Sequence, residues 1–262
     1  MVLRLMPYTL ISYGQSDPGL VRENNEDVWG CLPDHHFFVL ADGMGGHKAG
    51  EVASKEAVVF SCSRMRKLLE ERNMDEASAG DAVELIQTAI ADTNRHVYEL
   101  SLSDPLFSGM GTTFCALYFH DDYVIYAHVG DSRIYRLRRK RLEQLTQDHS
   151  LLSELMNQGR EVSKGSEEFM YKNIITKALG TDSNIEPAIH VSIIRPNDLF
   201  LICSDGLSDL LTRQQIEGQL NYPYTVEEKV RGLVRAAKQK GGFDNITCVL
   251  VEVVKSEENI PR

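Results

Sequence analysis

The stretch at residues 36–54, HFFVLADGMGGHKAGEVAS, constrains the fold of this chain more than any other. An apolar run suited to a buried strand is followed at once by Asp42, then by a glycine-dense turn and a helix start. An acidic side chain directly after a buried strand needs a partner, because burying an unpaired carboxylate is costly. We therefore expect Asp42 to hold a positive group, most simply a metal ion.

Composition and charge exclude several classes of protein. The chain has 262 residues, of which 42% are hydrophobic and 25% charged, and its formal net charge is −10. This is typical of a globular protein, and the negative charge argues against a general nucleic-acid binder, which normally has a basic surface. No apolar run approaches the roughly 20 residues that cross a bilayer. The N-terminus lacks the pattern of a secretory signal peptide.

One segment, RLRRKR at residues 136–141, is strongly basic and lies between two runs typical of strands. We interpret it as the exposed tip of a hairpin, with a docking patch as the alternative.

The cysteines indicate a reducing compartment. They are scattered, odd in number and without a CxxC pair, and three lie within apolar runs: Cys31, Cys62, Cys115, Cys203 and Cys248. We expect reduced thiols, mostly in the core of a cytoplasmic protein.

The spacing of apolar residues predicts an alternation of strands and helices. Strands are predicted at 9–13, 27–31, 36–41, 188–194, 199–203 and 246–254, and helices at 51–70, 81–100, 150–158 and 225–240. Four short runs at 112–119, 123–129, 132–137 and 142–145 have short polar separators, which favours an antiparallel meander.

Nothing in the sequence divides the chain into separate units. We find no internal repeat, low-complexity linker or shift in composition, so we expect one α+β domain over residues 1–262. Residues 159–171 are charged and glycine-punctuated without clear periodicity, which indicates a mobile flap within a subdomain at about 150–178. Residues 255–262 form a polar tail.

Four aspartates share one local pattern, since each adjoins an apolar run and a glycine or asparagine. They are Asp42 in VLADGMGG, Asp131 in AHVGDSRIY, Asp205 in LFLICSDGLSD and Asp244 in GGFDNITCVLV. A fifth acidic position, Glu26 with Asp27, lies earlier in the chain, at the end of the loop in VRENNEDVWG. Each alone is ordinary turn chemistry. Brought to one edge of a domain, they would repel one another unless a cation neutralised them. Oxygen ligands without clustered His or Cys favour Mg²⁺ or Mn²⁺ over Zn²⁺.

In their order along the chain, these segments resemble the type 2C metal-dependent protein phosphatases, the PPM family, in their bacterial form. The matching stretches also include GMGTTF, LTQDHSL and ITKALGT, and together they run from about residue 8 to 254. The resemblance implies a four-layer α-β-β-α sandwich, in which two packed antiparallel sheets are flanked by helices. It also implies a metal site at one edge of the sandwich.

The resemblance also implies roles for individual residues. Asp42 is similar to the carboxylate that bridges two metal ions, with the Gly43 carbonyl on the second ion. The remaining matches are Asp205 and Asp244 as ligands of the first ion, Glu26 and Asp27 as the pair that holds water on the second, Asp131 with Asp205 at a weaker third ion, and Arg22 as the arginine that binds the substrate phosphate. Arg22, Asp27 and Asp42 are thus the expected catalytic residues.

The chain departs from eukaryotic relatives two positions after the bridging aspartate, where they carry a histidine and this chain has Met44. His47 is nearby, but we favour a surface role for it and expect a metal-bound water to protonate the leaving group. For His149 we favour a structural hydrogen bond, with contact to substrate as the alternative. Thr112 and Thr113, after Gly111, resemble a strand start near the site, where packing is the default role.

The sequence therefore predicts a Mn²⁺- or Mg²⁺-dependent enzyme that hydrolyses phosphoserine and phosphothreonine on proteins, by water that two metal ions activate. Its partners would be phosphoproteins and a bacterial Ser/Thr kinase, with no nucleic acid and no membrane, and we expect a cytoplasmic monomer. Two alternatives remain: an inactive relative that only binds phosphoproteins, and a phosphatase with one dedicated substrate in a partner-switching circuit.

Overall fold

The structure is a computed structural model that describes residues 8–45, 49–72, 74, 77–159, 171 and 174–256. Its strands are β1 (Tyr8–Asp17), β2 (Asp27–Leu32), β3 (Phe37–Met44), β4 (Gly111–Thr112), β5 (Phe114–His120), β6 (Tyr123–Val129), β7 (Arg133–Arg138), β8 (Arg141–Gln144), β9 (Ala188–Ile193), β10 (Leu199–Cys203) and β11 (Ile246–Lys255). Its helices are α1 (Ala49–Glu71), α2 (Ala79–Ser103), α3 (Leu151–Asn157), α4 (Asp205–Ser208), α5 (Arg213–Asn221) and α6 (Val226–Gln239).

The strands form two antiparallel sheets that pack face to face. One sheet has the order β1-β11-β10-β7-β8, and the other has the order β2-β3-β5-β6-β9, with β4 beside β3. Large apolar side chains from both sheets, among them Phe38, Phe119, Phe200 and Val251, fill the space between them. The predicted pair of packed sheets is confirmed.

Helices cover the two outer faces. Apolar residues of α1 and α2 pack against the second sheet, and those of α4, α5 and α6 pack against the first. Capping boxes begin α2 at Ser78, α5 at Thr212 and α6 at Thr225 by satisfying free N–H groups of the first turn. The predicted four-layer α-β-β-α sandwich is therefore confirmed, although the helix α5 was not predicted.

The predicted meander is wrong in one respect. β5 pairs with β6 and β7 pairs with β8, but β6 and β7 lie in different sheets. The chain crosses from one sheet to the other at residues 130–132, where Gly130 has a φ of 98°. A Cβ on Gly130 would lie 2.7 Å from the Thr113 side chain, so glycine alone fits this crossing.

The basic segment is the hairpin tip that the sequence predicts. Arg139 and Lys140 form the turn between β7 and β8 with φ values of 51° and 64°, and both side chains are exposed. Arg136 and Arg138 instead pair within the fold, with Glu143 and Asp198 respectively. All five cysteines are free thiols, and Cys115, Cys203 and Cys248 are buried, as predicted.

Candidate metal centre

Asp27 and Asp42 face each other across the first two strands of the second sheet. β2 pairs with β3 so that Asp27 lies opposite Asp42, and directly opposite residues project from the same face. Asp27 is 4% exposed, and its Oδ2 accepts a hydrogen bond from the Ser204 hydroxyl at 2.7 Å. Its Oδ1 is buried without a hydrogen-bond partner in the part of the chain that the structure describes. That atom is an acceptor available to a cation.

Asp205, Asp244 and Asp131 come to the same place from other parts of the fold. Asp205 begins α4, one residue beyond the end of β10. Asp244 lies two residues before β11, and Asp131 lies shortly after β6. A Cβ on Gly206 would lie 2.0 Å from the Asn245 carbonyl oxygen, so the segments that carry Asp205 and Asp244 are in close backbone contact. The edge shared by the two sheets therefore collects the acidic residues that the sequence singles out.

The carboxyl groups oppose one another's ionisation. Burial, followed by the charges of Asp27, Asp205, Asp131 and Asp244, raises the pKa of Asp42 well above its ordinary value. Burial is likewise the main reason why the pKa values of Asp27 and Asp205 are raised. The hydrogen bond from the Ser204 hydroxyl offsets part of the rise at Asp27, and the charge of Asp244 adds to the rise at Asp205. Burial and the Asp205 charge raise the pKa of Asp131 to about 7. A bound cation would remove this repulsion.

Two threonines hold the backbone of Asp42. The hydroxyl oxygen Oγ1 of Thr113 accepts the Asp42 N–H at 3.0 Å, and the Thr113 N–H donates to the Asp42 carbonyl at 2.8 Å. Thr112 Oγ1 donates to the same carbonyl at 2.9 Å. β3 consequently continues through Met44, so Asp42 lies within the strand instead of following it. The predicted position of these threonines, at a strand start near the site, is confirmed. Packing is not their only role, because their hydroxyls also position Asp42.

Glycines bring the backbone close to Glu26. The Gly43 N–H donates to the Glu26 carbonyl at 3.0 Å, and a Cβ on Gly43 would lie 2.0 Å from the Gly50 carbonyl oxygen. A Cβ on Gly50 would lie 2.8 Å from the Glu26 carboxyl group. Side chains at either position would therefore push this part of the site apart. Burial raises the pKa of Glu26, whose carboxyl group lies at the start of α1.

Asn245 secures the loop that carries Arg22. Its Oδ1 accepts the Glu26 N–H at 2.8 Å, and its Nδ2 donates to the carbonyls of Pro18 and Asn24 at 3.1 and 2.9 Å. Asn245 was not predicted from the sequence, because the metal-ligand role in this motif was assigned to the adjacent Asp244. The asparagine in GGFDNIT can be recognised as a loop anchor only when the structure shows the loop at residues 18–26 beside it.

Arg22 lies at the rim of the site and contacts one of the predicted ligands. Its Nη2 donates to Asp244 Oδ2 at 2.8 Å, and this hydrogen bond raises the pKa of the guanidinium. The Arg22 side chain is 55% exposed. A cavity of about 240 Å³ lies between Arg22, Glu26, Gly45 and Asn245. The arginine can therefore reach an anion that enters this cavity.

A second cavity, of about 570 Å³, opens on the other side of the carboxylates. It is lined by Asp131, Asp205 and Asp209 and by residues of α3, among them Ser153 and Met156. α3 therefore forms a wall beside the site. The predicted flap at residues 159–171 lies almost wholly outside the described residues, as does His47.

His149 has the structural role that the sequence suggests. Its Nδ1 accepts the Gly130 N–H at 3.2 Å, and its ring stacks on His128 with centroids 4.6 Å apart. Burial, with the neighbouring charges of His128 and Lys177, lowers the pKa of His149 to about 4. The ring is therefore neutral at pH 7 and supports the crossing between the two sheets.

The donor set fits hard divalent cations. Every gathered side chain offers carboxylate oxygen, the ligand type that Mg²⁺ and Mn²⁺ prefer. Asp27 contributes a buried oxygen that accepts no hydrogen bond from the described residues. Within the residues that the structure describes, no three His, Cys, Asp or Glu side chains are already spaced to enclose an ion. Donor chemistry and charge thus fit a metal centre.

Comparison with known proteins shows which proteins this chain is similar to. A family model described as Protein phosphatase 2C matches residues 21–251. A curated protein named serine/threonine phosphatase stp, from Listeria monocytogenes serotype 4b (strain F2365), is 35% identical over 244 residues, which cover 91% of this chain and 94% of that protein.

Solved structures show the same similarity. The serine/threonine phosphatase PstP/Ppp of Mycobacterium tuberculosis superposes with a TM-score of 0.82 at 33% identity, covering 94% of this chain and 99% of that one. A structure described as the catalytic domain of the serine threonine protein phosphatase PstP in complex with 2 manganese ions gives a TM-score of 0.80 at 35% identity, with coverage of 94% and 99%.

Proposed function

Because this chain belongs to the protein phosphatase 2C family, we propose how its own residues carry out the reaction of that family. The chain is a metal-dependent protein-serine/threonine phosphatase of the bacterial type, and its cofactor is Mn²⁺ or Mg²⁺. The observation that supports a residue-level account is the group of carboxyl side chains around Asp42, which lie at one edge of the sandwich and whose charges raise the pKa of Asp42.

We assign the metal ligands to this group. Asp42 stands at its centre and would bridge two ions, with Asp205 and Asp244 on the first and the Gly43 carbonyl and Glu26 on the second. Asp131 with Asp205 would serve a weaker third ion. Since burial and mutual repulsion raise the pKa values of Asp42, Asp205 and Asp131, binding of ions would be coupled to loss of protons and to reorientation of these side chains.

The remaining site residues would bind the substrate phosphate and position the attacking water. When bound, the ions supply the activation of water for attack on phosphorus and neutralise charge on the phosphoryl oxygens. Arg22 would bind the phosphate in the adjoining cavity, because Asp244 accepts only one of its five N–H donors among the contacts described. Asp27, held by Ser204, would fix the position of water through its Oδ1, which has no hydrogen-bond partner among the described residues.

The leaving group needs a proton, and the side chain two positions after Asp42 is Met44, which has none to give. We therefore propose that water, instead of a side chain, protonates the leaving alkoxide. A His47→Ala variant tests this point. A loss of turnover of about a hundredfold at unchanged metal affinity would identify His47 as the general acid and contradict the proposal.

We further propose the setting in which the enzyme acts. Its substrates would be phosphoproteins that include a cognate Ser/Thr kinase, and it would act as a monomer in the cytoplasm, where its five free thiols stay reduced. No helix in the described ranges is both long enough and apolar enough to cross a membrane. The chain would form one catalytic domain over residues 1–262, with a flap subdomain at about 150–178 and a polar tail at 255–262.

Hydrolysis of p-nitrophenyl phosphate and of phosphothreonine peptides with Mn²⁺ tests these assignments. The wild type should turn over both substrates, and Asp42→Ala and Asp244→Ala should each lose nearly all activity because the ions lose a ligand. Equal rates in the wild type and both variants would contradict the assignments. The inactive, phosphoprotein-binding relative would instead show no turnover in any of the three proteins.

A further inference from the structure

A groove lies outside the catalytic site, between the end of β1 and the helix α6. Its volume is about 540 Å³, and its lining includes Asp17, Leu20, Arg231, Arg235 and Lys238. The three cations occupy successive turns of α6, so they span about 10 Å at a rise of 1.5 Å per residue. We refer to it as the basic groove.

The cations of the basic groove are not all neutralised. Lys238 pairs with Asp17, both of whose carboxylate oxygens lie 2.9 Å away, and Arg231 pairs with Glu227 at 2.7 Å. Arg235 is exposed and has neither a hydrogen bond nor an ion pair among the described residues. An unpaired guanidinium beside two paired cations gives this groove a positive potential on a chain whose net charge is −10.

The basic groove continues into the phosphate-binding side of the catalytic site. The Leu20 N–H donates to the Gly242 carbonyl at 2.8 Å, which fixes Leu20 beside the segment that leads to Asp244. Leu20 lies two positions before Arg22, a distance of at most about 7 Å along the chain. The Leu20 and Phe243 side chains are each 62% exposed at this junction. An extended segment leaving the Arg22 cavity could therefore pass over them.

We propose that the basic groove binds acidic residues of the substrate that flank the phosphorylated residue. The proposal rests on the proposed function, because it takes Arg22 as the site of the phosphate. The 10 Å between Arg231 and Lys238 match about three residues of extended chain. Acidic side chains about three to six positions from the phosphorylated residue would reach Arg235, whose planar fork suits a carboxylate.

Steady-state kinetics with paired peptides test the proposal. One phosphothreonine peptide carries glutamates three to six positions away on both sides, and its partner carries glutamines there. The wild type should show a kcat/KM about three- to tenfold higher for the glutamate peptide, an advantage that falls with added salt. Arg235→Glu should abolish or invert that preference. Arg66→Glu, an equal charge change on the exposed surface of α1, should preserve it.

Hydrolysis of p-nitrophenyl phosphate separates this proposal from the proposed function, since that substrate has no flanking residues. Wild type, Arg235→Glu and Arg66→Glu should hydrolyse it at equal rates. Full hydrolysis combined with equal kcat/KM for the two peptides would overturn the groove proposal alone. A preference for glutamate that survives Arg235→Glu would overturn it as well. Absence of hydrolysis in the wild type would overturn both proposals.

Discussion

Asp27 and Asp42 stand opposite each other on neighbouring antiparallel strands, with both carboxyl groups on one face. Like charges directly opposite each other weaken a sheet, and here Asp205 and Asp131 add to the repulsion of Asp42. The fold accepts this cost at one edge, where it supports Asp42 through the Thr112 and Thr113 hydroxyls. Such placement is typical of sites at which function outweighs stability.

Thr113→Val should weaken metal binding without blocking the fold. Valine has a similar shape but leaves the Asp42 N–H without the acceptor Oγ1, so the free energy of unfolding should fall by about 1–3 kcal/mol. Because the Asp42 backbone is then less fixed, the Mn²⁺ dissociation constant should rise. Urea denaturation and calorimetric titration with Mn²⁺ measure the two effects. An unchanged Mn²⁺ affinity would mean that Thr113 has no positioning role.

Asn245→Ala should raise KM more than it lowers kcat. The substitution removes one acceptor and two donors that hold the loop at residues 18–26, so Arg22 would be less well placed for phosphate. The carboxyl groups of Asp42 and Asp205 are attached to other elements and keep their positions. Kinetics with a phosphothreonine peptide test the split. A loss confined to kcat would contradict this account of the loop.

His149 should make the protein sensitive to mild acid. Its pKa of about 4 lies below the ordinary value of 6.5, so the unfolded chain binds the proton more readily. The stability due to the neutral ring is present above about pH 6.5 and is lost as the pH falls towards 4. His149→Asn keeps an acceptor for the Gly130 N–H and cannot be protonated there, so its melting temperature should fall less between pH 7 and pH 5. Thermal denaturation at both pH values provides the comparison, and parallel losses would contradict it.

Asp198 should matter for stability and not for catalysis. It is 1% exposed and accepts two hydrogen bonds from Arg138, at 2.8 and 2.6 Å, and one from the Arg195 N–H. Asp198→Ala should reduce the free energy of unfolding by about 3 kcal/mol, since it leaves a partly buried guanidinium unpaired. Glu143→Ala, which removes the exposed partner of Arg136, should cost less than about 1 kcal/mol. Urea denaturation measures both, and equal losses would contradict the distinction.

Most of the layered architecture could be predicted from the sequence, because the spacing of apolar residues shows which face of each strand or helix is buried. The strand at residues 199–203 was predicted with the bounds that β10 has. The crossing at Gly130 could not be predicted, since β6 and β7 have similar patterns and a short separator whether they share a sheet or not. α5 was missed because only Ile216 and Leu220 are buried in it.

The candidate site also has a part that the sequence predicts and a part that it does not. The acidic residues are visible because each follows or precedes an apolar run, although which of them meet depends on the resemblance and on the fold. The residues that support them could not be inferred locally. Thr113 lies 71 positions from Asp42, Ser204 lies 177 from Asp27 and Asn245 lies 219 from Glu26, and their hydroxyl and amide groups are common in loops and strands.

The central claim, that the carboxylates around Asp42 bind the catalytic ions, is tested most directly by thermal denaturation of the wild type and Asp42→Asn, each in EDTA and in Mn²⁺. In EDTA the variant should melt at the higher temperature, because the neutral amide removes the charge that Asp27 and Asp205 oppose. With Mn²⁺ the wild type should gain stability as ions bind the folded state, and the variant should gain little. An equal Mn²⁺-dependent rise in both proteins would contradict the claim.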